Sequence, residues 1–506
     1  MKTINKYKLI ILGLVSLCIL SCTDDFLELS DPTSINTTDF YKNEAQIKEA
    51  VNGAYGQLQN IFDNQYIFNE LITDNTTVQI TTQDRGQANR IESIDFWTYA
   101  PFHFNINVMF EDTYNNLLNI NTILKRIEGT DIDENKKNQY KGEMLFLRAF
   151  HYYHLTQYFG DIFLILEPIE DIDSSFEITR TSSNEVYNQV ISDLQDASNF
   201  LPRKSEYSSE DIGRVPKAAA LTLLGKVYLT VGSSADAIPP LRTVVDDLGY
   251  SLLNNYSDIF DPSNKNHSES IFEIQYQGGN NLGVGSEFAY IFAPFDSGGV
   301  VTGFPAVRTF GWNQPTNSII NAYEDGDLRK DVSLQENYID PEGQLQEVPY
   351  INKYMNEHSL PGVTDDNWPV IRYAEAILLL AEALNEQSPG SNEAIQLVNQ
   401  VRARAGLDPL SGVSQANLKE AILKERRVEL AFENHRWFDL KRFLSTQELV
   451  SFLNAHGQEE LADPTIDRSG VPYNPDDYII EPHELIFPIP ESQLLLTDNI
   501  TQNPGY

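Results

Sequence analysis

The densest concentration of acid and base in the chain is "ERRVELAFENHRWFDLKR", residues 425–442, where Glu425, Glu429 and Glu433 recur one helical turn apart. Two carboxylates are the equipment of glycoside hydrolysis, but they must flank the scissile bond. Carboxylates successive on one helix point the same way and cannot do so. Arg426, Arg427, Arg436 and Arg442 are interleaved with them, which favours a structural salt-bridge network. "HYYH" sets His151 and His154 at i and i+3, half of a metal site, yet no further ligand cluster has a usable spacing. In so aromatic a helix both are read as core. "DIDEN" (131–135) and "EDGDLRKD" (324–331) resemble fragments of calcium loops and lack the full ligand pattern. The sequence contains no HExxH, Walker-type or GxSxG motif. No catalytic residue, metal or cofactor is assigned.

Binding chemistry collects elsewhere. Residues 276–317 are rich in glycine and aromatics and nearly free of charge, in a chain whose formal charge is −37. An irregular stretch of this length in a compact protein is usually functional. A smaller segment of the same character, "DRGQANRIESIDFWTYAPFHF" (84–104), sets Phe96, Trp97 and Tyr99 between two helical segments.

The elements around these segments are helical. Ile47, Ala50, Val51, Ala54, Tyr55 and Leu58 share one helix face, as do Ile106, Phe110, Leu117, Ile120, Leu124 and Ile127. Between Met144 and Phe159 apolar and aromatic residues occur all round, so that helix should be buried on most sides. Tyr187 to Leu201 form a further stripe, with "TSSNE" as its start signal. In "ALTLLGKVYLTVGSSADAIPPLRTVV", Leu221, Leu224, Gly225, Tyr228, Ala237, Leu241 and Val244 fall at tetratricopeptide spacings. Pro239 and Pro240 fit if the second helix starts around them. A looser copy runs from Tyr373 to Val401, and "SIFEIQY" (270–276) alternates as a strand. The fold class is mainly α: a tetratricopeptide-like helical-repeat superhelix with long irregular insertions and a few short strands.

The N-terminus reads as an export signal. Lys2, Lys6 and Lys8 precede an apolar run from Leu9 to Leu20, too short to span a bilayer, and "LSC" ends it as a lipobox. Residues 1–21 are then the signal peptide, Cys22 the lipidated N-terminus and 22–33 a tether, with Asp24, Asp25 and Glu28 resembling a surface-export tag. Cys18 leaves with the signal, so the mature chain can form no internal disulfide and must rely on core burial. The acidic surface repels phosphate backbones and anionic head groups, which excludes nucleic acid as a partner and makes membrane attachment covalent.

"FLRAFHYYHLTQYFGDIFLI" (146–165), "PTNSIINAYEDGDLRKD" (315–331), "INKY" (351–354), "RYAEAILLLAEALNE" (372–386), "ERRVELAFENHRWFDLKRF" (425–443) and "PIPESQLLLTDNITQNPGY" (488–506) together resemble the signature segments of the SusD/RagB family of outer-membrane lipoproteins. Phe163 departs from a frequent proline, which should alter only a local turn. The resemblance implies one SusD-like domain over 34–506. It implies non-catalytic capture of oligosaccharides, or less often peptides, at the outer membrane, facing the cell exterior. It also implies delivery to a SusC-like TonB-dependent transporter that the lipoprotein caps as a lid. Family platforms map to Asp74–Tyr99 and Phe288–Asn313, where flat rings suit the C–H patches of a sugar and polar groups its hydroxyls. On that basis Trp97 and Trp312 are the candidate stacking faces, and Asp74, Asn75, Arg85 and Asn313 the candidate hydrogen-bonders. Trp368 and Trp437, inside signature segments, are expected in the core. Residue chemistry alone leaves an exported glycan-degrading enzyme as the alternative, with a protein-binding scaffold third.

Overall fold

A computed structural model describes residues 40–82, 85–169, 172–279, 284–468 and 470–506; the signal, Cys22 and the tether lie outside them. The helices of eight residues or more among them are α1 (Glu44–Asp63), α2 (Arg85–Asp95), α3 (Phe104–Glu128), α4 (Glu134–Phe159), α5 (Ser183–Phe200), α6 (Lys217–Thr230), α7 (Ser234–Arg242), α8 (Tyr373–Gln387), α9 (Asn392–Arg404), α10 (Gln415–Glu429), α11 (Arg436–Phe443) and α12 (Thr446–Ala462). None is long and apolar enough to cross a membrane. Ser182 caps α5 by accepting from the Glu185 backbone N–H. The aspartate of "DIDEN" does the same for α4, Asp133 accepting from Asn135 and Lys136.

The helices stack in a row. α1 packs on α3, α3 on α4, α4 on α5, α5 on α6 and α6 on α7, and α7 packs directly on α8 although residues 243–372 lie between them in the chain. α4 sits in the middle and is buried on nearly every side from Gln139 to Phe159. His151 and His154 belong to that core: the first lies 3.0 Å from Asn116 Nδ2, the second donates from Nδ1 to the Phe150 carbonyl, and burial pushes both imidazoles down to about 3. No group of His, Cys, Asp and Glu among the described residues could hold a metal. Gly225 shows why a repeat needs a small residue where two helices close: a Cβ there would stand 2.4 Å from Leu241 Cγ.

Pro239 and Pro240 do not open the second helix of that pair. They lie in the second turn of α7, which begins at Ser234. The carbonyls they leave unpaired belong to Ala235 and Asp236, exposed residues where water can serve, and the helix loosens into a π turn at Thr243–Asp247.

Residues 64–103 and 243–372 are the large irregular insertions. The predicted strand Ser270–Ile274 pairs antiparallel with Trp368–Arg372, and both are fully buried. The middle insertion is less of a loop than its composition suggests. Phe288–Phe292 is a short buried helix, and the Phe288 ring packs on Tyr276, Tyr354 and Trp368. A charge-free stretch can enter the core without desolvating ions, and most of these aromatics have done so.

The acidic signature is buried as well. α10 ends at Glu429, and Glu433 follows on a turn where Phe432 and Asn434 take φ of +63° and +67°. The partners of the glutamates come from elsewhere. Arg329 lies 2.6 Å from Glu425 and 3.1 Å from Glu429, Arg372 lies 2.9 Å from Glu429 and 2.7 Å from Glu433, and Lys353 lies 2.6 Å from Glu433. The interleaved arginines bind other acids: Arg426 pairs with Asp439, Arg442 with Glu382, and Arg427 and Arg436 with Asp74. The predicted network exists, but it is tertiary. At the far end of α4 the "NPGY" block closes the fold, where Asn503 Nδ2 donates to the Phe159 and Phe487 carbonyls at 3.0 and 2.7 Å.

Candidate functional site

The two insertions meet. Thr76–Thr77 pairs antiparallel with Gln314–Pro315, and Thr316 Oγ1 donates to the Asp74 carbonyl at 2.6 Å. One step further along, the Gln79 N–H donates to the Gly311 carbonyl at 2.7 Å, and Gln79 Oε1 accepts from the Phe295 N–H at 2.7 Å. Gly311 has φ +65°, and a Cβ there would sit 2.5 Å from Gln79 Oε1, so the seam requires glycine. Asp95 anchors the same strand from α2, accepting from Thr77 Oγ1 at 2.8 Å and the Val78 N–H at 3.0 Å.

Across this seam residues 308–313, "RTFGWN", run with alternate side chains in and out. Thr309, Gly311 and Asn313 are buried, while Arg308 is exposed and Phe310 and Trp312 are half-buried. The outward set forms a ladder. Phe310 and Trp312 have ring centroids 4.5 Å apart, and the Arg308 guanidinium lies 4.7 Å from the Phe295 ring and 5.9 Å from that of Phe310. Asp296 stands 3.9 Å from Arg308. The inward side holds the ladder down: Thr309 Oγ1 donates to the Pro294 carbonyl at 2.5 Å, and the N–H groups of Phe310, Gly311 and Trp312 donate to carbonyls of 290–293. The arrangement offers flat rings, one cation and one carboxylate on a single face. It can stack on an apolar ring face and hydrogen-bond a polar rim.

The candidate residues separate sharply. Trp312 is on the ladder. Trp97 is not: it is 5% exposed, with its ring between Tyr99 and Trp437, because the chain leaving α2 turns at φ +60° and drives it inward. Asp74 and Asn75 are also interior. Burial alone would raise the Asp74 carboxyl, but the Arg427 and Arg436 guanidiniums hold it well below the usual carboxylate range. Asn75 Oδ1 accepts from Arg427 Nε at 2.9 Å. Asn313 is fully buried, directly beneath the ladder, and neither of its amide atoms has a partner among the described residues. Arg85 opens α2, and its side chain lies outside the described residues. Trp368 and Trp437, each 1% exposed, are core as expected. Phe295, Arg308 and Phe310 were missed. The signal for two of them was the period-two alternation of "RTFGWN", which marks an extended segment with one face out.

Comparison with known proteins finds SusD-like relatives. A model described as the SusD family matches residues 340–506, and one described as starch-binding and associating with the outer membrane matches residues 25–229. The SusD-like protein P2 of Formosa agariphila is 29% identical over 99% of this chain and 100% of its own length. Among solved structures, a laminarin-binding SusD-like protein is 27% identical with a TM-score of 0.74, covering 92% of this chain and 100% of its own. A SusD homologue from Bacteroides thetaiotaomicron shares the fold at a TM-score of 0.78 and 20% identity, over 94% of this chain and 100% of its own. The signature segments, the helical stack and these matches agree: this is a SusD-like chain.

Proposed function

We propose that this protein is a non-catalytic outer-membrane lipoprotein that captures oligosaccharides on the face built by Phe295, Arg308, Phe310 and Trp312. The observation that carries the reading is the outward aromatic ladder pinned to the inner loop. Two adjacent rings provide stacking faces for sugar C–H patches, and Arg308 and Asp296 reach hydroxyls beside them. Trp312 is the stacking residue. Asp74 and Asn75 support the seam from below through their carbonyls, which accept from Thr316, and Trp97 is core. The laminarin-binding relative and the starch-binding description of the matching family model support a glucan as the first ligand to test. Acylation at Cys22 holds the protein on the outer membrane, facing outward, where a SusC-like TonB-dependent transporter receives the captured glycan. Hydrolysis is disfavoured at the acidic signature because Glu425, Glu429 and Glu433 are buried and each ion-paired.

Purified protein incubated with a glycan panel that includes laminarin and starch tests the reading. Retention of a glycan without new reducing ends is the expected result. New reducing ends would establish an enzyme instead, and retention of none of the panel would overturn the glycan assignment. Solubilisation from native membranes should co-purify a large outer-membrane barrel; repeated isolation of the protein alone would overturn the transporter partnership.

A further inference from the structure

A second apolar surface lies apart from the ladder. Between α3, residues 163–169 and 175–178, and residues 493–500 runs a groove of about 400 Å³. Phe110, Tyr114 and Phe163 floor it, while Phe176 and Leu496 stand on its rim, 45% and 58% exposed. Phe163, the departure from the frequent proline, therefore does more than alter a turn: its ring packs on Phe110 and Tyr114 and shapes that floor. Among the described residues that line the groove, the only one with a charged side chain is Glu111.

We propose that this groove is the seat of the chain's own N-terminal segment, with Phe26, Leu27 and Leu29 of "DDFLEL" entering it. Three observations converge on that occupant. First, the segment between Cys22 and Phe40 concentrates three large apolar residues within four positions. Left in water, each would forgo the favourable free energy of leaving it. Second, the chain joins the body beside the groove's own helix. The Tyr41 carbonyl accepts from Thr130 Oγ1 at 2.8 Å, just past the end of α3, and the groove residues Leu118 and Phe110 lie about 15 and 27 Å back along that helix. From Phe40 back to Leu27 the backbone can span about 45 Å, so the segment reaches with slack. Third, the family model that matches residues 25–229 begins within this segment, so the family's sequence pattern runs through it rather than starting at the first described helix. A second copy is a poor occupant, since two surfaces of formal charge −37 repel.

Docking has a consequence for orientation. Cys22 is then about four residues, at most about 14 Å, from a seated Phe26. The groove, with the exposed Phe176 and Leu496 on its rim, is held toward the membrane instead of swinging on a free tether.

The test places a photoreactive benzoylphenylalanine at position 27 of the full-length lipoprotein and maps the adduct by mass spectrometry after irradiation. The expected product is intramolecular, on peptides within 104–128, 161–180 or 491–506. Adducts elsewhere on the chain, a dimer-sized product, capture of a different protein, or no adduct each overturn the proposal. Phe176→Asp gives a second reading. Its ring is rim-exposed, so the melting temperature should hold while the groove adduct is lost, and an undiminished adduct in this variant also overturns the assignment.

Discussion

Trp312→Ala isolates the ladder from the fold. A tryptophan side chain offers about 200–250 Å² in all. Trp312 keeps at most about a third of its surface exposed, so at most about 80 Å² remains for a ligand. At about 25 cal/mol per Å² that area is worth about 2 kcal/mol, within the range of a truncated hot spot. Each 1.4 kcal/mol is tenfold in affinity, so the dissociation constant should rise up to about thirtyfold. The covered part of the ring packs on Phe310 and against the core, and its loss should lower stability by about 2–3 kcal/mol. Trp437→Ala is the control: at 1% exposure and packed at a tilt against Trp97, it should cost about 3–5 kcal/mol and unfold the protein at visibly lower temperature. Isothermal titration with the panel glycan that binds best, beside a melting curve for each variant, reads both effects. A Trp312→Ala protein that binds as tightly as the parent refutes the ladder as the site. So does one whose melting loss matches that of Trp437→Ala, because the ring would then be core.

Gly311→Ala keeps every ladder side chain and should still weaken glycan binding, because the new Cβ at φ +65° meets Gln79 Oε1; the strain is about 1–3 kcal/mol, and unchanged affinity would show that the seam does not position the rings. Glu70 is buried, and burial pushes its carboxyl up to about 7 despite hydrogen bonds from the Asn434 N–H and Asn75 Nδ2. The folded state therefore holds the proton more tightly than the unfolded chain between about pH 4.5 and 7, and Glu70 should subtract about 3 kcal/mol of stability as pH rises through that window. Chemical denaturation of Glu70→Gln against the parent should show the difference growing from low to neutral pH, and a pH-independent difference would refute it. Cys22→Ala should abolish incorporation of a fatty-acid probe and release the protein from membranes, whereas undiminished label would place the anchor elsewhere.

The sequence by itself determined the helices and their burial, because an apolar stripe at helical spacing states both the element and the face that must leave water. Ser182 likewise caps its helix at the start signal, because a cap is a local hydrogen bond, whereas Asp133, read with a calcium-loop fragment, caps α4 in the structure. The SusD-like character followed from whole signature segments in order. The seating of the aromatics in the insertions was decided only by tertiary structure. Trp97 and Trp312 stand in similar irregular surroundings, and what separates them is a partner 340 positions away for the first, Trp437, and a seam with residues 76–79 that turns the second outward. The same holds for charge. Glu425, Glu429 and Glu433 sit among arginines in sequence, yet they bind Arg329, Arg372 and Lys353, while those arginines reach Asp74, Glu382 and Asp439. Backbone periodicity is a local property that composition records, whereas an ion pair or a covered ring depends on which distant segment arrives there, and that is fixed only when the helices stack.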